Sequence, residues 1–276
     1  SVDGNMIVSG ITTFGGAVNL PSTSGNVITA GKLGIGFTDT NIKVGSGALD
    51  SLTTGTHNTA VGHNALTANT SANRNTAVGR HALTANTTGE DNVGIGYHAL
   101  VENTTGEDNV AVGSYALDAN TTASNNVAIG YYALTSNVTG FNNVAVGVNA
   151  LYTNTASNNT AIGRDALKLS TADNCVAVGS LALAANSTGA ANVAVGYGAL
   201  NDNTTGNYNI AIGGGALDTN TTGDNNVAMG INALTANTTA NNNTAIGYEA
   251  LTANTTGQNN TALGVNALKS TTTTNN

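Results

Sequence analysis

The chain has 276 residues, of which only 8% are charged, 35 are Gly and none is Trp. A net charge of −8 argues against nucleic acid, which needs a basic footprint. No apolar run is long enough to span a membrane as a helix, and the single cysteine, Cys175, excludes an internal disulfide framework.

Residues 1–40 show no repeat, and no charged-then-apolar leader follows Ser1. They are expected to form a distinct shaft or cap. From residue 41 a period takes over. The glycines Gly45, Gly62, Gly79, Gly96, Gly113, Gly130, Gly147, Gly163, Gly179, Gly196, Gly213, Gly230, Gly247 and Gly264 each close a phrase such as Asn-Thr-Ala-Val-Gly. Eleven of the thirteen intervals are 17 residues and two are 16, and the missing residue falls in the polar stretch. A loss confined to that stretch marks it as a surface turn.

Counting from the repeat Gly, position −1 is always apolar, −3 is Val, Ile or Thr, and −2 is Ala except at Lys43 and Gly94. Alternation of β-branched residues with Ala has the period of a strand. The expectation is that Val and Ile point into the core and Ala to the other face. The Gly permits a tight corner. Ala-Leu at +3 and +4 recurs in every copy, as a short strand or a helical turn, and Asn-Thr-Thr-Gly reads as turn chemistry. Asn at −4, present in thirteen of fourteen copies, suits an amide ladder, with Cys175 filling one rung. The fold class is therefore all-β: a repeat β-solenoid, or β-roll, of about fourteen 17-residue coils over residues 41–268, followed by a Thr/Asn tail at 269–276.

Burying about three medium apolar side chains per coil falls well short of the cost of ordering 17 residues, and hydrogen bonds close much of the gap but not all of it comfortably. The Ala column containing Ala111, Ala128, Ala145 and Ala194 therefore reads as a close-packing seam between chains. An open end after Leu268 is expected to be covered by another polypeptide or by a removed domain.

The phrase Asn-Thr-Ala-Ile-Gly-Tyr-x-Ala-Leu-x-x-Asn-Thr-Thr, seen from Asn243 to Thr256, resembles the repeats of phage tail-fibre proteins and related bacterial surface proteins. Its Val-Ala-Ile-Gly core is similar to the head repeats of trimeric autotransporter adhesins. The stretch 3–13 looks like fibre-shaft strand phrases, and residues 32–36 look like a lead-in to such repeats. The resemblance implies a parallel homotrimeric fibre of a virion, or a trimeric adhesin on a bacterial cell surface. It implies a host-surface glycan or protein as receptor, and other virion proteins at the N-terminal end. Tail-fibre relatives often carry a C-terminal self-cleaving chaperone domain, which the Thr/Asn tail is not.

No catalytic constellation stands out, and neither an enzyme nor a cofactor is expected. Glu90 and Glu107 share one column, and Asp91 and Asp108 share the next. Ca²⁺ would neutralise them with oxygen ligands, and Arg74 one rung below offers a metal-free alternative. Tyr97, Tyr115, Tyr131 and Tyr132 fall just after the Gly in successive copies, beside His81 and His98, as an aromatic strip suited to a receptor sugar. His81 and His98 share a column without a third histidine, which disfavours a metal site. The Asn-Thr-Thr phrases match glycosylation acceptors but read more simply as turns. A column of Thr from Thr53 to Thr272 raises ice binding by a monomeric solenoid, which its Gly-containing turns disfavour.

Overall fold

A computed structural model describes residues 40–276. The segment 1–40 and its expected role as shaft or cap thus lie, but for Thr40, outside the described residues. From β1 (Ile42–Val44) to β14 (Thr261–Leu263), fourteen three-residue strands form one parallel sheet in strict chain order. Each strand pairs with the next coil's strand in register, for example Val110 with Val127, Ala111 with Ala128 and Val112 with Ile129. The two 16-residue coils keep this register, Val144 with Thr160 and Thr160 with Val176. Their shortening is absorbed in the polar turn: Asn154 Nδ2 reaches the Ala156 carbonyl two residues on, where Asn137 reaches Gly140 three residues on. At ~4.8 Å per rung, the sheet runs on the order of 60 Å.

The solenoid is as the period predicts, but the strand faces are the reverse of the expectation. Ala111, Ala128, Ala145 and Ala194 are each 0% exposed inside the coil of a single chain. The β-branched residues at −1 and −3 point outward, with Ile129 40% and Ile162 41% exposed. The interior is too narrow for Val or Ile. Even a Cβ added at Gly94, in the Ala column, would lie 3.2 Å from Leu83 Cγ and 3.3 Å from the Ala99 carbonyl oxygen. The −2 column therefore takes nothing larger than Ala across most of the stack, and the bulkier residues of the strand go out. The seam expected along Ala111, Ala128, Ala145 and Ala194 is excluded, because that column is the core.

The large interior residue is Leu at +4, and twelve of these leucines are fully buried. They belong neither to a second strand nor to a helix. Leu66, Leu117 and Leu200 have φ of 51°, 51° and 54°, in the left-handed region. That conformation costs roughly 1–2 kcal/mol for an L-residue. It is offset by burial worth about 1.5–3 kcal/mol and by a rung-to-rung bond, Leu117 N–H to the Ala133 carbonyl at 3.1 Å. The repeat Gly sits at φ near +135°, and its bare Cα is required: a Cβ on Gly79 would lie 2.4 Å from the Gly96 carbonyl oxygen.

Two Asn columns complete the interior. Asn at −4 accepts, through its Oδ1, the backbone N–H of the next Asn in the column, as from Asn126 to Asn109 at 3.0 Å. The expected ladder is present here mostly in this side-chain-to-backbone form. A second column at +7 forms the amide-to-amide ladder, with Asn120 Nδ2 donating to Asn103 Oδ1 at 2.7 Å and Asn220 Nδ2 to Asn203 Oδ1 at 2.8 Å. Both columns also close on one turn carbonyl. Asn92 and Asn103 Nδ2 donate to the Gly106 oxygen at 2.8 and 3.0 Å, and Asn109 and Asn120 do the same at Ala123. Cys175 sits in the −4 column with its N–H on Asn159 Oδ1 and its Sγ 3.4 Å from the Gly189 carbonyl oxygen. Burial pushes its thiol pKa up, as befits a space-filling rather than a reactive cysteine.

The tail continues the path. The Thr261 N–H donates to the Asn276 carbonyl at 2.7 Å, and the Asn276 N–H donates to Asn260 Oδ1 at 2.9 Å. The expectation of an uncovered last rung is thereby corrected on its polar side. Leu263 and Val265 stay 77% and 70% exposed.

Replacing Leu134 by Ala should lower the unfolding free energy by about 2–5 kcal/mol in a denaturant titration, because it empties a sealed interior. Thr122→Ala, on the exposed turn, should change it by less than about 0.5 kcal/mol. Equal losses at the two positions would contradict this assignment of the core.

Candidate functional site

Positions +1 and +2 leave the strand through the Gly corner and face outward. At +2 the backbone is left-handed, with φ of 60° at His81, 58° at His98, 59° at Tyr115 and 55° at Tyr132. Asn or Gly, which tolerate this bend best, fill it in seven of the fourteen coils. In four consecutive coils it carries a ring instead, and the rings meet. Centroids lie 5.2 Å apart for His81 and His98, 5.5 Å for His98 and Tyr115, and 4.9 Å for Tyr115 and Tyr132. Tyr115 and Tyr132 stack with planes 14° apart. On the +1 ledge, Tyr97 packs 4.2 Å from His98 and Tyr131 packs 4.2 Å from Tyr132.

All six residues of the sequence-predicted strip are thus brought together, and two further rings extend it. Tyr152 lies 5.9 Å from Tyr132. His63, one position earlier in its own coil, lies 5.6 Å from His81, so a third histidine does join the run that the column count left at two. Its signal in the sequence was present but displaced by one residue. Among the described residues, no group of three or more His, Cys, Asp or Glu side chains is placed to hold a metal ion.

Polar groups border the rings. The Arg80 guanidinium lies 5.8 Å from the Tyr97 ring centroid. Asp118 accepts from Thr135 Oγ1 at 3.3 Å; burial raises its pKa, with His98 opposing the shift and Glu102 adding to it. The Tyr132 hydroxyl is pushed up to about 12, first by its hydrogen bond with Tyr131 and then by burial. His81 is held below the usual histidine range, first by desolvation and then by the Arg80, His98 and His63 charges.

The acidic columns are placed otherwise. Arg74 binds both Glu90 and Asp91, at 2.7 Å from Nη2 to Glu90 Oε2 and 2.6 Å from Nε to Asp91 Oδ1. Asn73 Nδ2 donates to the other Glu90 oxygen at 2.7 Å. Arg74 holds the Asp91 carboxyl below its ordinary range. Glu107 and Asp108 are exposed one rung further on. This is the arginine neutralisation that the sequence offers as the alternative to calcium.

The Asn side chains of the Asn-Thr-Thr phrases, such as Asn86, Asn103 and Asn203, are fully buried, which closes them to glycosylation in the folded coil. The Thr column at +8 spends hydroxyls on the next rung, with Thr104 Oγ1 donating to the Thr121 carbonyl at 3.0 Å and Thr204 to Thr221 at 2.9 Å. A second exposed surface is the sheet itself, where Val44, Ile95, Ile129, Ile162, Val195, Ile212 and Ile246 line one edge of a continuous apolar stripe.

Comparison with protein-family models, with curated proteins and with solved structures finds no match to this chain.

The His81 shift has a fixed sign. A histidine whose folded pKa is depressed leaves the unfolded chain binding more protons, so stability present above the unfolded pKa of about 6.5 is lost as pH falls below it. The melting temperature should fall from pH 7.5 to pH 5.5, and His81→Asn, which suits the left-handed bend, should lessen that fall. A variant melting with the wild-type pH dependence would contradict the role of His81.

Proposed function

We propose that this chain is a rod segment of a homotrimeric fibre, a virion tail or capsid fibre that spaces and contacts a host surface. The observation that carries the proposal is the outward apolar stripe of the fourteen in-register strands. With a three-residue strand about 10 Å wide and rungs ~4.8 Å apart, the stripe covers on the order of 600 Å². That approaches the roughly 800 Å² per partner of a standard stable interface. A patch of this size is at the upper end of what monomers leave in water, and another copy of the same periodic sheet is the surface that fits it along its whole length. Its mixture of Val, Ile and Thr at −3 leaves it less apolar than a core, as association surfaces are.

The number three, and the placement on a virion, come from the likeness of the repeat phrase to tail-fibre and trimeric adhesin repeats. A trimeric adhesin of a bacterial cell surface is the alternative with the same build. The seam in this proposal is the Val/Ile face, in place of the Ala column. An ice-binding monomer is the weaker reading, since the Thr hydroxyls at +8 already bond within the coil. The role is structural and calls on no catalysis and no cofactor.

Sedimentation equilibrium should return about three times the 27.2 kDa of one chain. The double substitution Val112→Asp with Ile129→Asp should give folded monomer, because it places charge on an association face rather than in the core. A wild-type chain that is a stable monomer would remove the fibre reading. A double variant that cannot fold as a monomer would instead return these residues to the interior.

A further inference from the structure

The ring ladder has no counterpart in the needs of the coil. Seven coils fill the +2 bend with Asn or Gly, and the stack passes through them without interruption. Yet from His63 to Tyr152 eight rings lie in one unbroken chain of contacts, with four of them held in the left-handed region that His and Tyr occupy at a cost. His63, at the end of the run, is exposed, and two of the tyrosines stand out as well. Tyr97 is 36% and Tyr131 49% exposed, both at +1, with the small Ser114 between them. They are two rungs apart, roughly 10 Å along the rod.

We propose that the surface from Arg80 to Tyr152 is a binding platform for an extended neutral oligosaccharide, with sugar rings lying against Tyr97 and Tyr131. A pyranose has an apolar C–H face and a rim of hydroxyls, and it needs flat aromatic planes beside hydrogen-bonding groups. The ladder supplies the planes at a repeat, and amphipathic Tyr presents its hydroxyl at the same site. The Arg80 guanidinium beside Tyr97, the Asp118 carboxyl between Thr135 and His98, and the exposed Glu102 supply the rim. The same groups decide against the other polymer that stacks on aromatics. A single-stranded nucleic acid requires a positive groove, and this surface carries Asp118 and Glu102 on a chain of net charge −8. The proposal names the ligand class of the same rod and takes from the fibre reading only its place on an outer surface.

Saturation-transfer NMR on the full chain with cellohexaose, chitohexaose and maltohexaose should give transfer to at least one of the extended β-linked sugars. Titration should give a dissociation constant that rises at least tenfold in Tyr97→Ala and in Tyr131→Ala, and binding should be lost in the double variant. Tyr197→Ala and Tyr248→Ala, at the same +1 position outside the ladder, should bind as the wild type does. All four side chains are exposed, so melting temperature and solution mass should be unchanged; this separates loss of a ligand surface from loss of fold or assembly. Absence of transfer to both β-linked sugars would overturn the proposal, as would full binding by the double variant or binding of single-stranded oligonucleotide in their place. None of these outcomes moves the solution mass, so the platform and the fibre fail separately.

Discussion

The pair of Asn side chains closing on one turn carbonyl is the interaction on which this solenoid depends. Each coil must bury a polar corner, and a buried carbonyl without a donor costs about 1–3 kcal/mol. Asn92 and Asn103 converge on Gly106, and Asn209 and Asn220 converge on Gly223. The amides thereby draw the two walls of the coil together. Their own oxygens are largely used by the neighbouring rung, so satisfaction of one coil depends on the presence of the next. Among the described residues two buried amide oxygens of the second column are left without a partner, Asn120 Oδ1, next to the coil carrying Val138 in place of Thr, and Asn254 Oδ1, next to the last coil.

A coil drawn together by amides has little room for hydrocarbon. Its interior takes Ala at −2 and +3 and a single Leu, and that Leu must adopt a left-handed backbone to turn inward. The remaining apolar residues of the strand have nowhere to go but out. The long Val/Ile face is thus a consequence of how the interior is built, and it is on this face that the proposed association rests. The same division frees positions +1 and +2. They carry no structural duty beyond the bend, so rings, charges or glycine can be placed there coil by coil without disturbing the stack.

The period, the parallel register, the turn, the Gly corner and the Asn column at −4 were all legible, because each recurs at a fixed offset and has one physical explanation. The direction of the strand was not. Alternation shows that two faces differ but does not say which is inside, and larger apolar residues are the usual occupants of a core. Two signals pointed the other way. Thr replaces Val at −3 in Thr59, Thr76, Thr160, Thr244 and Thr261, which suits water better than a dry interior. The Ala column admits no larger apolar residue, which is the mark of a tight contact. The second amide ladder was hidden because Asn-Thr-Thr-Gly is also ordinary turn sequence, although Asn holds +7 in eleven of fourteen coils. The left-handed Leu was beyond pattern reading, since propensity gives no reason to expect it. Of the ring strip, the membership could be read from columns, but its continuity through His63 and Tyr152 needed side-chain reach rather than register.

Hydrogen exchange of the Asn side-chain amides, followed by NMR, tests the account most directly. The Nδ2 protons of Asn103, Asn109, Asn209 and Asn220 should exchange as slowly as the backbone N–H groups of Leu117 and Leu217, because all are released only when the stack opens. The exposed Asn125 and Asn242 should exchange their side-chain protons at the rate of free amides. Interior Asn protons exchanging as fast as the exposed ones, with the leucine N–H groups still protected, would contradict the claim that the amide pair holds the coil closed.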